Sequence, residues 1–157
     1  MAKKKKKRPG TITNRQAKYN YSIENTFIAG IVLSGAEVKA LRLGYGQLTG
    51  SYITIKDNEL FLINSLISGS NQIKIEENAK TKPRKLLAKR REIDQLTEAK
   101  TQGRTIIPLE FITHGKYIKL KIAIGKGKKR YDKRQALKAR SEQRQINRAV
   151  KSHTVVE

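Results

Sequence analysis

Lys116-Tyr117-Ile118-Lys119-Leu120-Lys121-Ile122-Ala123-Ile124 alternates apolar and polar residues. Ile118, Leu120, Ile122 and Ile124 share one face, and Lys119 and Lys121 the other. That period of two belongs to a β-strand with one packed face and one basic face. The strand runs into Gly125-Lys126-Gly127-Lys128-Lys129-Arg130-Tyr131-Asp132-Lys133-Arg134. Two glycines let the backbone approach a surface, the cations can neutralise phosphates, and Tyr131 offers a ring for a base to stack on. A solvated basic linker has a similar composition, and the rest of the chain selects between the two.

Working outward, further strands dominate. Thr105 to Thr113 and Lys116 to Ile124 form an expected hairpin turning at His114-Gly115. A second hairpin joins Leu48 to Lys56 and Glu59 to Ile63 through Asp57-Asn58. Tyr21, Ile23, Phe27, Ile31 and Leu33 share a parity, and Gly30 among them predicts a bulge or bend. Two helices interrupt the strands. Ser34 and Glu37 have capping-box spacing, Val38 and Leu41 follow on one face, and Gly44 is placed to stop the helix. A second helix is expected from Pro83-Arg84, striped by Leu86, Leu87, Arg90, Ile93 and Leu96 and ended by Gly103. The predicted fold is mainly β: an OB-fold-like closed antiparallel β-barrel with two or three added α-helices. Its basic C-terminal tail is expected to be disordered when free.

The chain of 157 residues carries 35 Lys and Arg against 13 Asp and Glu, a formal charge of +22. Such a charge repels the compact state and calls for a polyanion. No apolar run approaches the roughly 18 residues of a spanning helix, so no membrane role is expected. Met1-Ala2 leads directly into the cations Lys3 to Arg8, unlike a secretory signal. With no Cys there are no disulfides or thiolate metal sites. A cytoplasmic nucleic-acid binder is the expected class. Three segments are expected: a basic arm over 1–17, an RNA-binding barrel over 18–125, and a basic tail over 126–157.

Catalysis finds no support in the sequence. The acids are scattered, and Asp57 and Glu59 read as turn residues. His114 sits at a hairpin tip and His153 in the tail, neither with partners at metal-ligand spacing. No metal, cofactor or enzymatic activity is expected.

Four stretches in register resemble a known family, the SsrA-binding proteins (small protein B) of bacterial trans-translation. They are Asn14 to Lys18 with Tyr21 to Glu24; Ala29 to Arg42; Pro83 to Leu87 continuing to Arg91-Glu92-Ile93; and Gly125 to Arg134. The resemblance implies an OB-type barrel that binds the tRNA-like domain of tmRNA and delivers it to stalled ribosomes. The tail would enter the decoding centre and the empty mRNA channel as a helix. The implied partners are tmRNA, the small ribosomal subunit with its rRNA, and an alanyl-tmRNA complex with elongation factor Tu; a monomer is expected.

Residue roles follow from the matched motifs. Asn14, Arg15 and Lys18 match the RNA-contacting N-terminal segment. Lys39 and Arg42 would project from one side of the capped helix, while Glu37 reads as structural. Arg84 and Lys85 would offer phosphate contacts at a helix start, and Lys126, Lys128 and Lys129 backbone contacts that read no sequence. Tyr131 aligns with a position that stacks on a ribosomal base, and Asp132, Lys133 and Arg134 begin the tail helix. Lys138, Arg140, Arg144 and Arg148 continue its basic surface. Ile28, Gly50, Leu66 and Glu142 depart from the family pattern at places concerned with RNA contact and tail docking. The alternative is an OB-fold ribosomal protein, or another binder of structured RNA.

Overall fold

A computed structural model describes residues 12–153. The basic run Lys3 to Arg8 and residues 154–157 lie outside the described residues. The strands are β1 (Ile12–Thr13), β2 (Tyr21–Ile31), β3 (Gly46–Gln47), β4 (Tyr52–Lys56), β5 (Glu59–Ile63), β6 (Leu66–Ile67), β7 (Arg84–Leu87), β8 (Thr105–Ile112) and β9 (Lys119–Gly127). The helices are α1 (Ala17–Asn20), α2 (Gly35–Arg42), α3 (Glu77–Lys80), α4 (Arg90–Thr101) and α5 (Arg130–His153).

Seven strands form an antiparallel sheet in the order β1-β8-β9-β2-β7-β5-β4, and β3 pairs with β6 in a small second sheet. The closed barrel expected from sequence is not formed. The sheet ends at β1 and β4, and although β4 lies against β8, no hydrogen-bonded ladder joins them. Among the described residues five helices are present rather than two or three, because two four-residue turns and the tail add to α2 and α4.

Alternation in β9 sets the two faces of the sheet. Phe27 pairs with Ile122 and Ala29 with Leu120, all facing inward, whereas Ile28 pairs with Lys121 and Gly30 with Lys119, facing outward. Leu60, Leu62, Leu96, Phe111, Leu120 and Ile122 are fully or almost fully buried in the core, and Ala40 and Leu41 of α2 join them. The hairpin at Asp57-Asn58 turns with both residues at positive φ, 52° and 59°, as a tight two-residue loop requires. The capping box forms: Glu37 N–H donates to Ser34 Oγ at 3.3 Å and Ser34 N–H to Glu37 Oε2 at 2.8 Å.

The irregularity expected at Gly30 is displaced. The β2–β9 register shifts between Ile23 and Asn25. Gly30 instead marks where β2 gains a second partner, since it faces both Lys119 and Leu87. Residues 12–13, within the expected arm, pair as β1 with β8, and β9 continues two residues past the expected barrel end at 125.

The expected helix start at Pro83-Arg84 is corrected. Arg84–Leu87 is a strand between β2 and β5, with Arg84 and Leu86 buried, Lys85 half-buried and Leu87 exposed. The helix begins six residues later, at Arg90. Leu86 and Leu87 suit either period, and the two neighbouring strands settle the competition in favour of pairing.

Gly125 serves the sheet rather than an external surface. A Cβ there would lie 2.7 Å from Ile107 Cδ1 and 3.0 Å from the Ser22 carbonyl oxygen. Gly125→Ala is therefore expected to cost about 1–3 kcal/mol through overpacking, read as a lower urea midpoint with unchanged m-value.

Residues 130–153 form one helix, containing neither Gly nor Pro and rich in Arg, Lys, Gln and Ala. Its apolar residues are largely exposed: Leu137, Ile146 and Val150 are 49%, 55% and 61% exposed.

Candidate nucleic-acid interface

The outer face of the sheet and the α1 corner carry the densest cluster of sequence-predicted residues. Asn14, Arg15 and Lys18, at the start of α1, line a groove of about 460 Å3 with Glu110, Lys121 and Arg140. A contiguous pocket of about 380 Å3 adds Ser22, Thr26 and Lys128 to Lys18 and Lys121. Three stretches, at α1, along and just after β9, and in α5, thus bring five cations to one concavity. Glu110 lies 3.6 Å from Lys121 Nζ and tempers the local charge.

The junction after β9 is anchored to α1. Lys128 N–H donates to the Asn20 carbonyl at 2.8 Å, and Lys128 Nζ to the Lys18 carbonyl at 2.9 Å. Lys133 Nζ lies 5.9 Å from the centre of the Tyr19 ring, within cation–π range. Asp132 accepts a hydrogen bond from Lys129 N–H at 3.3 Å, which gives it a capping role where α5 starts. Tyr131 is 68% exposed. Arg134, Lys138, Arg144 and Arg148 are exposed along α5, and Lys126 and Lys129 near the junction.

Two helix cations lie apart from the groove. Lys39 is exposed on α2, and Arg42 Nη2 donates to the carbonyls of Gly115 and Lys116 at 3.0 and 3.2 Å, bracing the β8–β9 hairpin tip. Lys85 is half-buried and paired with Glu59 across β7 and β5.

Arg84 does not reach the surface, so its expected phosphate contact is corrected. Its side chain is fully buried and bonded on every nitrogen. Nε donates to Glu37 Oε1 at 3.0 Å. Nη1 donates to Ser65 O, Ser65 Oγ and Lys82 O at 2.9, 2.9 and 3.2 Å. Nη2 donates to the carbonyls of Ala79 and Lys80 at 3.1 and 3.0 Å. Burial pushes the Glu37 carboxyl up, but the Ser34 N–H, the Arg84 guanidinium and the Lys82 ammonium outweigh it, holding Glu37 below the ordinary carboxylate value.

Sequence reasoning missed part of this face. Ile28, Val32 and Leu87 stand 55%, 52% and 53% exposed beside one another where β2 meets β7. Lys119 and Lys121 flank them on β9. The two lysines were legible as the wet face of the β9 alternation. The apolar trio was not, because Leu87 read as helical core.

The sequence profile of a family described as SmpB protein matches residues 11–152. An SsrA-binding protein of Staphylococcus carnosus is 42% identical over 154 residues, covering 96% of this chain and 98% of the relative. One of Trichormus variabilis is 45% identical over 144 residues, covering 89% and 92%. One of Pseudomonas putida is 43% identical over 155 residues, covering 97% of each. A solved structure described as "tmRNA-SmpB: a journey to the center of the bacterial ribosome" aligns with TM-score 0.64 and 32% identity, covering 82% of this chain and 94% of its own.

Proposed function

The chain belongs to the SmpB protein family, and on that premise we propose that it binds the tRNA-like domain of tmRNA, the SsrA RNA, and delivers it to stalled ribosomes for trans-translation. The observation that carries this is the family match over residues 11–152, which spans the groove, the outer face and the tail junction together. Relatives named SsrA-binding proteins and a structural neighbour described with tmRNA and the bacterial ribosome point to the same two partners.

The geometry supports a division of labour. Arg15, Lys18, Lys121 and Lys128 neutralise phosphates along the groove, fixing the RNA in position without reading its sequence. Ile28, Val32 and Leu87 offer an apolar surface for ribose or base faces. No chemical step is assigned to the protein.

The tail takes the second role. A helix whose apolar stripe is exposed draws little stability from packing, so α5 is marginal in the free protein and becomes fixed along ribosomal RNA. Tyr131 then stacks in the decoding centre, and Lys133, Arg134, Lys138, Arg144 and Arg148 follow the phosphates of the messenger channel. We further infer an open OB-type sheet, with β4 against β8 as support, and a monomer that acts in the cytoplasm on alanyl-tmRNA carried by elongation factor Tu. Among the described residues, no helix is long and apolar enough to cross a membrane.

Titration of the full chain with the tRNA-like domain tests the groove. Lys18→Ala and Lys128→Ala are each expected to weaken binding and to reduce the log–log salt slope by about 0.7–0.9, one phosphate contact apiece. Equal affinity for an unrelated duplex of the same length would contradict the assignment.

A further inference from the structure

Asn14 borders two cavities. One is the basic groove; the other, of about 260 Å3, lies between α1 and strands β4 and β8. Asn14, Gln16, Asn20, Tyr21 and Tyr52 line the second cavity over an apolar wall that includes Ile106. Its chemistry is unlike that of its neighbour. None of its described lining residues is charged, in a chain of net charge +22.

The Asn14 side chain is fixed but incompletely bonded. Its Nδ2 donates to the Pro108 carbonyl at 3.1 Å and its backbone N–H to the Leu109 carbonyl at 2.7 Å. Its Oδ1 is buried and has no hydrogen-bond partner among the described residues. Buried polar atoms in native folds are nearly always paired, so this enclosed acceptor gains a partner only when the Asn14 side chain turns toward a donor. Tyr52 is 51% exposed, which leaves its ring available for stacking. The volume falls below the roughly 300–1,000 Å3 typical of drug-sized ligands and suits one flat ring system.

We propose that this pocket receives a single unpaired nucleobase whose flanking phosphates lie in the adjoining groove. A turn of the Asn14 side chain brings Oδ1 to the amino or imino group on the base edge, and Tyr21 and Tyr52 present ring surface to its faces. A neutral pocket beside a cationic groove separates the two parts of a nucleotide by their charge. The inference rests on the RNA-binding reading above. The base can belong to the tRNA-like RNA or to the small-subunit rRNA, which share this chemistry.

Full-length Tyr52→Ala, Tyr52→Phe and Thr105→Trp test it, the last placing a bulky ring on the exposed rim. Each is titrated with the tRNA-like domain and with small ribosomal subunits, and its melting curve is recorded. Tyr52→Ala and Thr105→Trp are expected to lose about 5- to 150-fold in affinity for one RNA, the range for losing a base–aromatic stack, while Tyr52→Phe binds as the wild type. Loss at the tRNA-like domain places the base in tmRNA; loss at the subunit places it in rRNA. A photo-crosslinker at position 105 should then map to one unpaired nucleotide. Wild-type affinity for both RNAs in both variants overturns the pocket, as do crosslinks scattered over paired segments or affinity losses that track a lowered melting temperature. Failure of the wild-type protein to bind either RNA would instead overturn the reading beneath it.

Discussion

Arg84→Ala is expected to remove about 3–5 kcal/mol of stability, the usual cost of breaking a buried ion pair by deleting one partner. Against total stabilities of about 5–15 kcal/mol, that leaves a marginal fold. The guanidinium holds three things at once: the Glu37 carboxylate on α2, Ser65 beside β6, and the carbonyls of Ala79, Lys80 and Lys82 ahead of β7. Removing it leaves a buried carboxylate beside unsatisfied carbonyls. Arg84→Lys rescues only part of the loss, because a point charge cannot reproduce the planar fork. Urea unfolding of the three proteins checks the ranking. The same cluster sets an acid dependence. The folded-state pKa of Glu37 lies below its ordinary value of 4.5. Its contribution is therefore complete above that value and is lost as pH falls through the lowered one. In Glu37→Gln, that part of the acid dependence should flatten.

A chain ending at Arg130 is expected to keep binding the tRNA-like domain and to lose peptide tagging on stalled ribosomes, down to the level of reactions lacking the protein. The groove is built mainly from α1, β8, β9 and Lys128, all present in that chain. Among the described residues, Arg140 is the one beyond the cut that lines it, so the salt slope should change by no more than one phosphate's worth, about 0.7–0.9. Tagging, on the proposed reading, needs the cations and Tyr131 beyond the cut. Parallel measurement of binding and of tagged product separates the roles. A truncated protein that no longer binds the RNA would contradict the separation.

What the sequence made legible depended on how local the signal was. The Ser34–Glu37 capping box, the Asp57-Asn58 turn and the β9 alternation each lie within a few residues, and each has its expected form. The Arg84 segment failed for the opposite reason. Its strand partners lie on β2 and β5, and its ion-pair partner is 47 residues away. Pro83 ahead of a basic, leucine-containing stretch satisfies helix-start rules equally well. Burial of an arginine is likewise invisible in a chain where cations are abundant. The open sheet edge was misjudged because strand count cannot say whether β4 and β8 exchange hydrogen bonds or merely touch. For the groove, Asn14, Arg15, Lys18 and Lys128 were named in advance, whereas Lys121 and Glu110 joined them only through the register of β8 against β9. The outer apolar trio and the neutral pocket at Asn14 depend on which side chains the sheet leaves uncovered, and that is set by tertiary packing.

The central claim is that this chain carries one tRNA-like RNA to the ribosome. Purification of the full-length protein from its own cells, followed by sequencing of the bound RNA, tests it most directly. Enrichment of a single tRNA-like RNA with messenger character over total RNA is the predicted result. Recovery of mature ribosomal RNA alone, from salt-washed particles, would contradict it.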